Sequence, residues 1–392
     1  MKVLINIVRI VVGLLFIFSG LIKANDPLGL GYKMQEYFEL WNMAFLDSFS
    51  LWLSIIMIAF EIIAGFALLR GWQMRLFSWL LLLLIIFFTF LTGYAYFSGK
   101  FTNCGCFGDC IPITPKTSFL KDVILTALII FLFANRRNIK PVFSRAATLI
   151  SMLLVTILSF GIQWYALNYL PFMDCLPFKK GNEIPEQMKR PANAVDAITT
   201  ITFIYEKNGQ QKEYTLDNLP KDLDSTYKFI KRYDKVIREA SNNVPPIHDF
   251  ALLDSAGEDH TQRILSEPYA VLLFCQDFSV PVSKWSEAFV KLYEEARSKN
   301  IPVYAITTQL DEARRNFAGT AFNDMPVFKC DFTAIRTAAR TNPCVYLLTR
   351  GKITDKQSYR RMEAVTNDIK SLQVQPKIPM DNNQPAADSI NH

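Results

Sequence analysis

The sequence predicts a membrane α-helical bundle followed by a soluble α/β domain. Three observations lead to this fold class. Residues 1–169 consist mainly of long apolar runs, whereas residues 171–392 have the mixed composition of a soluble protein. Basic residues cluster in alternate loops between the apolar runs, and strand and helix patterns alternate from Ile247 onward. A chain of 392 residues is long enough for two or three domains.

Five apolar runs approach the length that a membrane-spanning helix needs, which is about 20 residues. We expect each of them to be helical, because lipid offers no partner to an unpaired backbone amide or carbonyl. The first run lacks a small-x-small cleavage site and is followed by four more, so we expect a retained helix and not a cleaved signal peptide. The predicted spans are Val3–Ile22, Leu51–Leu69, Leu76–Phe97, Phe119–Ala134 and Ala146–Leu167.

The loops between the spans predict their orientation. Two short loops are rich in Arg and Lys, and the positive-inside bias makes them cytoplasmic. Residues 23–50, 98–118 and 170–392 are then outside a bacterial inner (cell) membrane, with a cytoplasmic N-terminus and a periplasmic C-terminal domain. These flanking residues also explain the net charge of +6, so nucleic-acid binding is not expected. The loop residues are Arg70, Arg75, Arg136, Arg137, Lys140 and Arg145.

Arg9 lies about two turns into the first predicted span, and Glu61 lies near the middle of the second. Helix rise places Arg9 roughly 9 Å and Glu61 roughly 12 Å from the cytoplasmic ends of antiparallel helices, so we expect them to pair. Intramembrane charges are costly unless paired or hydrated, and they mark either a structural lock or a functional site. Two interpretations stay open: a buried pair that joins two helices, or a site where Glu61 relays protons or binds a quinone headgroup.

A cysteine cluster, Cys104-Gly-Cys106 with Cys110, lies in the loop after the third span. The topology places it in an oxidising compartment, where Cys104 or Cys106 could pair with Cys110 and leave the third thiol free to attack. The cluster offers three ligands and has no nearby histidine, so a zinc site is not expected. Either a redox-active pair or a purely structural disulfide fits. The total of seven cysteines leaves the role of Cys175 open.

The soluble half begins with a predicted hairpin over Ile201–Thr215 that turns at Asn208-Gly209. A helix is expected over Ser225–Ala240. The following α/β unit has predicted strands at Phe250–Leu253, Ala270–Phe274, Val303–Thr307, Val327–Lys329 and Val345–Leu348, and helices at Val282–Arg297, Leu310–Phe317, Ala334–Arg340 and Arg361–Leu372. Residues 373–392 have the composition of a disordered tail.

Cys275 stands at the end of a predicted strand and before a predicted helix. A thiol near a helix N-terminus has a lowered pKa, so we expect Cys275 to be reactive. Its candidate partners are Cys330 and Cys344. Asn342-Pro343 is predicted to form a cis peptide bond. His260 shows no metal-ligand spacing, and no metal is expected.

The motifs of the membrane half resemble two related families. Phe18–Pro27, Lys33–Phe38 and Glu61–Gly65 resemble the DoxX-like membrane family, and Asn103–Asp109 is similar to methylamine-utilisation proteins of the MauE type. The resemblance covers roughly residues 1–135. It implies a four-helix membrane core, to which this chain adds a fifth helix. It also implies a part in disulfide formation or enzyme maturation for the MauE type, and a quinone-linked oxidoreductase subunit for the DoxX type.

Residues 247–353 resemble thioredoxin-like domains of the TlpA and peroxiredoxin kind, on Pro246–Gly257 and Asn342-Pro343. The chain departs from the Trp-Cys-x-x-Cys motif, because Phe274–Phe278 carries one cysteine and Phe278 at the second position. The expected domains are residues 1–135 (membrane core), 136–170 (cytoplasmic loop and fifth span), 171–246 (linker domain), 247–372 (degenerate thioredoxin-like domain) and 373–392 (tail).

These features together predict a membrane protein of thiol–disulfide redox or of extracytoplasmic protein maturation. Cys104, Cys106 and Cys110 would exchange electrons with a quinone near Glu61 and Arg9, or with the soluble domain, and Cys275 would act as a single thiol. The expected partners are the bilayer and a periplasmic client or redox partner. The alternative is a non-catalytic scaffold, so enzymatic activity stays open. A transporter is disfavoured because no inverted repeat is visible.

Overall fold

The computed structural model describes residues 1–99, 105, 107–220, 223–238 and 243–373. Within these ranges, five helices are long and apolar enough to cross a membrane. They confirm the five predicted spans to within a few residues, and the chain is a multi-pass membrane protein. The spans are α1 (Lys2–Asn25), α3 (Ser50–Arg70), α4 (Met74–Ser98), α5 (Pro115–Ala134) and α6 (Arg145–Tyr169), with a shorter helix α2 (Pro27–Leu40) after the first.

The close packing of α1 against α3 fixes the register of the membrane domain. A Cβ atom built on Gly65 would lie 2.8 Å from the carbonyl oxygen of Gly13, so the two backbones touch there. Small residues permit this approach between membrane helices. Further along the same contact, a Cβ atom on Gly20 would lie 3.3 Å from Cβ of Glu61. Glu61 is therefore level with the last third of α1.

Helix α2 was not predicted, because residues 23–50 were interpreted only as a loop. Asp26 caps its N-terminus by accepting a hydrogen bond from the amide of Gly29 at 3.0 Å, and Pro27 occupies the first helical position. One face of α2 lines a cavity of the membrane domain, and another contacts the soluble domain. The cavity face consists of Leu30, Lys33, Met34, Tyr37, Phe38 and Trp41, at the spacing of a single helical stripe.

A short helix, α7 (Ile184–Gln187), and a three-stranded antiparallel sheet follow α6. The sheet has the order β2-β1-β3, with β1 over Ile198–Lys207, β2 over Gln210–Thr215 and β3 over Lys228–Arg238. The hairpin with its Asn208-Gly209 turn is confirmed, and both turn residues have positive φ. The predicted helix over Ser225–Ala240 is wrong, because β3 pairs along β1 and places Tyr233 opposite Thr202. Its apolar spacing imitates a helical stripe, but sheet pairing decides the outcome.

A five-stranded sheet forms the core of the C-terminal domain, in the order β6-β5-β4-β7-β8. Strands β4, β5 and β6 are parallel, and β7 is antiparallel to both β4 and β8. Apolar clusters cover both faces of the sheet. The elements are α8 (Thr261–Ser266), β4 (Ala270–Cys275), α9 (Ser286–Ser298), β5 (Val303–Thr307), α10 (Leu310–Phe317), β6 (Val327–Lys329), α11 (Phe332–Ala338), β7 (Cys344–Thr349), β8 (Lys352–Ser358) and α12 (Met362–Ser371).

Two details of this domain differ from the prediction. No strand forms over Phe250–Leu253, where Leu253 makes only isolated bridges to Asp259 and Lys329. Strand β8 was missed, because Lys352–Ser358 is mostly polar and belongs to the sheet through its pairing with β7. The Asn342-Pro343 bond is cis, as predicted, and directly precedes β7. The predicted tail lies outside the described residues apart from residue 373.

Candidate functional site

A cavity of about 240 Å³ lies within the membrane domain. Its wall is mainly aromatic and aliphatic, with contributions from helices α1 to α5. Two residues of the cysteine loop, Gly105 and Phe107, also line it. The charged and hydroxyl-bearing residues at its wall are Ser19, Lys23, Lys33, Tyr37, Glu61, Thr92, Lys121 and Asp122. Apolar pockets with a few convergent polar groups are the usual form of a ligand site.

The first polar group at this wall is a buried ion pair between Lys23 and Glu61. The Lys23 Nζ lies 2.6 Å from Glu61 Oε1, and the two side chains are 4% and 1% exposed. The hydroxyl of Ser19 donates to Glu61 Oε2 at 3.0 Å. The Lys23 ammonium also lies 4.8 Å from the centre of the Phe88 ring, a cation–π distance. Glu61 therefore has polar neighbours at the cavity wall, but its cation, Lys23, was not predicted.

The predicted Arg9–Glu61 pair is wrong. Arg9 lies near the other end of α3, where a Cβ atom built on Gly71 would be 3.0 Å from its Nη1. Gly71 is ten residues from Glu61, which is about 15 Å along a helix. The prediction assumed that both helices begin at one level, whereas α1 extends beyond α3 on that side. Within the described part of the chain, the buried Nε of Arg9 has no hydrogen-bond partner, and Arg9 does not line the cavity.

The second ion pair joins Lys121 and Asp122, at 2.8 Å. Asp122 is 1% exposed and accepts a hydrogen bond from Thr92 at 3.0 Å. The Lys121 ammonium lies 4.9 Å from the centre of the Phe107 ring, next to the cysteine loop. This pair was not predicted, although two adjacent charges at one end of an apolar run mark a structural lock or a functional site.

The structure connects the cysteine loop to the segment after α6. Cys110 forms a disulfide with Cys175, 65 residues further along the chain. The expected pairing of Cys110 inside the loop is therefore corrected. Asn25, at the end of α1, holds this neighbourhood through hydrogen bonds to both backbone groups of Met173, at 2.8 and 2.9 Å. Cys104 and Cys106 lie outside the described residues, but Cys106 is joined by peptide bonds to Gly105 and Phe107.

Helix α2 also contacts the C-terminal domain beside its cis-proline. The hydroxyl of Tyr32 donates to Gln276 Oε1 at 3.2 Å, in the loop that follows β4. The guanidinium of Arg336 lies 3.6 Å from the centre of the Tyr32 ring and donates to Gln35. Arg340 binds Asp26 at 2.8 Å and Asp109 at 3.2 Å. The loop after β4 and the residues after α11 thus face the membrane domain.

Cys275 does not have the predicted environment. It is the last residue of β4, is 1% exposed, and packs in the core between the sheet and α9. Residues 276–281 separate it from the next helical turn, so its thiol is not at a helix N-terminus. Burial, followed by the charge of Asp277, raises the pKa of Cys275 far above its ordinary value of 9.0. The predicted reactive thiol is therefore wrong.

The other two thiols of this domain are equally shielded. Cys330 and Cys344 are buried in the core on the opposite face of the sheet, so neither can be the expected partner of Cys275. Burial is the largest cause that raises the pKa of both thiols, each to about 12. Residues 276–288, which lead into α9, contain no cysteine. The C-terminal domain thus lacks an accessible thiol in its described part.

We expect these three cysteines to resist alkylation in the folded protein between pH 7 and 9. The native state holds these protons more tightly than the unfolded chain. The raised pKa values of these thiols therefore contribute fully to the free energy of unfolding below pH 9. That contribution is lost as the pH rises toward 12. Mass spectrometry after maleimide treatment, with and without denaturant, measures this. Rapid native modification of Cys275 at pH 7 contradicts the burial.

One acidic turn brings a histidine close to two carboxylates. The ligand atoms of Asp254, Glu258 and His260 lie within 4.8 Å of one another on a partly exposed loop. His260 Nε2 is 3.0 Å from Asp254 Oδ2, and this hydrogen bond is the largest cause that lowers the pKa of Asp254. The sequence positions of these three residues match no metal-ligand motif, because only the turn brings their side chains together.

Two family models match the chain. Residues 1–135 match the methylamine utilisation protein MauE, and residues 199–239 match a domain of unknown function, DUF8463. Among curated proteins, Protein TlpB of Flavobacterium psychrophilum is 32% identical over 129 residues, which are 32% of this chain and 35% of TlpB. The chain thus matches about a third of the length of that relative.

Two solved structures are similar to parts of the chain. One is a thiol:disulfide interchange protein from a Bacteroides species, with 13% identity and a TM-score of 0.27, covering 34% of this chain and 91% of that one. The other is a thioredoxin-like protein from Bacteroides caccae, with 12% identity and a TM-score of 0.24, covering 85% and 83%. Residues 1–135 are thus similar to MauE, and the C-terminal domain, with the sheet order and cis-proline described above, is similar to thioredoxin-like proteins.

Proposed function

We propose that this protein is a membrane thiol–disulfide oxidoreductase whose cysteine loop delivers electrons to a lipid quinone in the membrane cavity. One observation carries the proposal: the cysteine loop and two ion pairs with buried carboxylates line the same apolar cavity. Gly105 and Phe107 flank Cys106, while Glu61 and Asp122 stand at the same wall with their lysines. This arrangement supports a thiol pair next to a site for an apolar ring with polar substituents.

The residues present fit a quinone. Its ring and tail would contact the aromatic and aliphatic wall, and the ammonium groups of Lys23 and Lys121 would donate hydrogen bonds to its oxygens. When bound, a quinone accepts two electrons and two protons, which is what the oxidation of two thiols to one disulfide releases. Glu61 and Asp122 place carboxylate oxygens, Oε and Oδ, at the cavity wall, where they can accept those protons.

The basic loops support a location for the reaction. The Arg- and Lys-rich loops support an inner-membrane protein with its cysteine loop and thioredoxin-like domain on the periplasmic side. The thiols would then come from an extracytoplasmic protein, and the product would be a disulfide in that client. Relatives named for methylamine utilisation and for thiol:disulfide interchange are consistent with such a role in protein maturation.

A second candidate function is a non-catalytic scaffold. It is favoured by the three buried thiols of the C-terminal domain and by the Cys110–Cys175 disulfide, which joins two extramembrane segments. In that case Cys104 and Cys106 would be found in one redox form that resists mild reductant. An exchanger would show a mixture of reduced and oxidised forms when the loop peptides are analysed by mass spectrometry.

The decisive experiment measures quinone reduction by the full-length protein in lipid nanodiscs. A soluble dithiol peptide serves as the electron donor, and short-chain ubiquinone and menaquinone analogues serve as acceptors. We expect C104S and C106S each to lower the rate to that of empty nanodiscs, because either change removes one sulfur of the Cys104–Cys106 pair. Cys330→Ala is the matched control and should keep the wild-type rate. Wild-type turnover in both loop variants, or none in the wild type, refutes the proposal.

A further inference from the structure

Arg340 is a buried cation that connects three parts of the molecule. Its side chain is 5% exposed, and it lies after α11, close to the cis-proline. Its Nε binds Asp26 at 2.8 Å, its Nη2 binds Asp109 at 3.2 Å, and its Nη1 donates to the carbonyl of Arg336. Burial alone would lower the pKa of Arg340, but the attraction of Asp26, Tyr32 and Asp109 outweighs it and raises the pKa. The guanidinium is therefore charged, and each of its three nitrogens has a hydrogen-bond partner.

Both carboxylates that bind Arg340 belong to the frame of the cavity. Asp26 caps α2, whose other face lines the cavity through residues such as Met34 and Tyr37. Asp109 precedes Cys110 and follows the loop residues Gly105 and Phe107, which also line the cavity. One side chain of the thioredoxin-like domain thus holds the cysteine loop against the helix that encloses the proposed site.

A second contact anchors the same loop from the other side of its disulfide. Asp174 precedes Cys175, and its carboxylate lies 2.6 Å from Nζ of Lys356, which is 3% exposed. Each cysteine of the Cys110–Cys175 disulfide is therefore preceded by an aspartate that binds a buried cation of the thioredoxin-like domain. These contacts fix the chain four residues from Cys106.

We infer that Arg340 is a positioning residue for the loop that carries Cys104 and Cys106, so that the thioredoxin-like domain acts by holding this loop and not by thiol chemistry of its own. This inference rests on the proposed function. The three cysteines of the domain are buried, which fits a role that uses none of their thiols. A displacement of reacting groups by about 1 Å can lower the rate about 100-fold. We therefore expect the loss of a contact that positions them to slow the reaction strongly.

The test compares full-length variants in nanodiscs: Arg340→Gln, Arg340→Lys and, as a matched control, Arg297→Gln, whose side chain is 62% exposed. After mild reduction that leaves Cys110–Cys175 intact, the rates of maleimide modification of Cys104 and Cys106 are measured by mass spectrometry. We expect R340Q to change these rates at least about fivefold and to lower kcat about 10- to 100-fold, with KM for the quinone analogue unchanged. R340K should restore part of kcat, and R297Q should match the wild type.

Asp109→Asn removes the loop contact but leaves the Arg340–Asp26 pair, so it serves if R340Q does not fold. It should reproduce the change in modification rate, and adding it to R340Q should cause no further loss, because both changes remove one interaction. Unchanged modification and kcat in R340Q and D109N overturn the positioning role. The modification assay needs no quinone. The variants can therefore change the modification rate even where the wild type shows no quinone turnover. That combination refutes the proposed function but supports the contact between Arg340 and the cysteine loop.

Discussion

Lys23→Met is expected to lower the free energy of unfolding of the membrane domain by about 3–5 kcal/mol. The change leaves the Glu61 carboxylate, which is 1% exposed, without its cation, while the hydroxyl of Ser19 still donates a hydrogen bond to it. An ion pair broken on one side leaves an uncompensated buried charge, which costs far more than the pair itself contributes. Unfolding in mixed detergent micelles, followed by tryptophan fluorescence, measures the difference.

The double variant Lys23→Met with Glu61→Gln separates a buried charge from a general loss of packing. It removes the unpaired carboxylate, so we expect it to recover more than half of the lost stability. Lys33→Met is the matched control, because the Lys33–Glu36 pair is 25% and 45% exposed and should change stability by less than about 1 kcal/mol. Equal losses in the single and double variants would show that the charge is not the cause.

The five spans could be predicted from the sequence because the bilayer imposes one rule on every segment. A run such as Leu76–Phe97 can satisfy its backbone in lipid only as a helix, whatever its neighbours do. The Asn208-Gly209 hairpin was predictable for a similar local reason, since both residues accept the positive φ that its turn requires. In both cases the outcome depends on a few adjacent residues.

Two of the misses have the opposite property, since each depends on parts of the chain that are distant in sequence. Glu61 pairs with Lys23 and not Arg9, because the glycine contacts of α1 with α3 set a register that helix lengths do not reveal. The partner of Cys110 comes from beyond α6. Cys275 is at the predicted strand end, but the loop to α9 is too long to bring its thiol to a helix N-terminus.

The pairing of α2 with the thioredoxin-like domain shows the same limit for the site itself. Arg340 and Asp26 are 314 residues apart, and neither lies in a motif that would reveal the other. Sequence patterns predicted that a quinone site would involve Glu61 and the cysteine loop. The second carboxylate, Asp122, was predictable from the sequence of the fourth span, where it follows Lys121. The domain contacts required the assembled structure.

Replacing both Cys110 and Cys175 with Ser is expected to destabilise the protein by up to about 4 kcal/mol and to loosen the thioredoxin-like domain from the membrane domain. The disulfide closes a loop with a sequence separation of 65, and removing it restores that chain entropy to the unfolded state. Asp109 and Asp174, which precede the two cysteines, would then hold Arg340 and Lys356 without a covalent link between them. Limited proteolysis of residues 170–180 and unfolding in micelles measure both effects.

The wild type provides the internal control for this prediction. Strong reductant should lower its stability to that of the double variant and should leave the double variant unchanged. Either single variant should lose as much as the double one, because each removes the same bond and the effects are not additive. A double variant that unfolds like the oxidised wild type would mean that the buried pairs of Arg340 and Lys356 hold the two domains together without the disulfide. The disulfide would then be dispensable for the position of the cysteine loop, and the ion pairs of Arg340 and Lys356 would be sufficient to hold it.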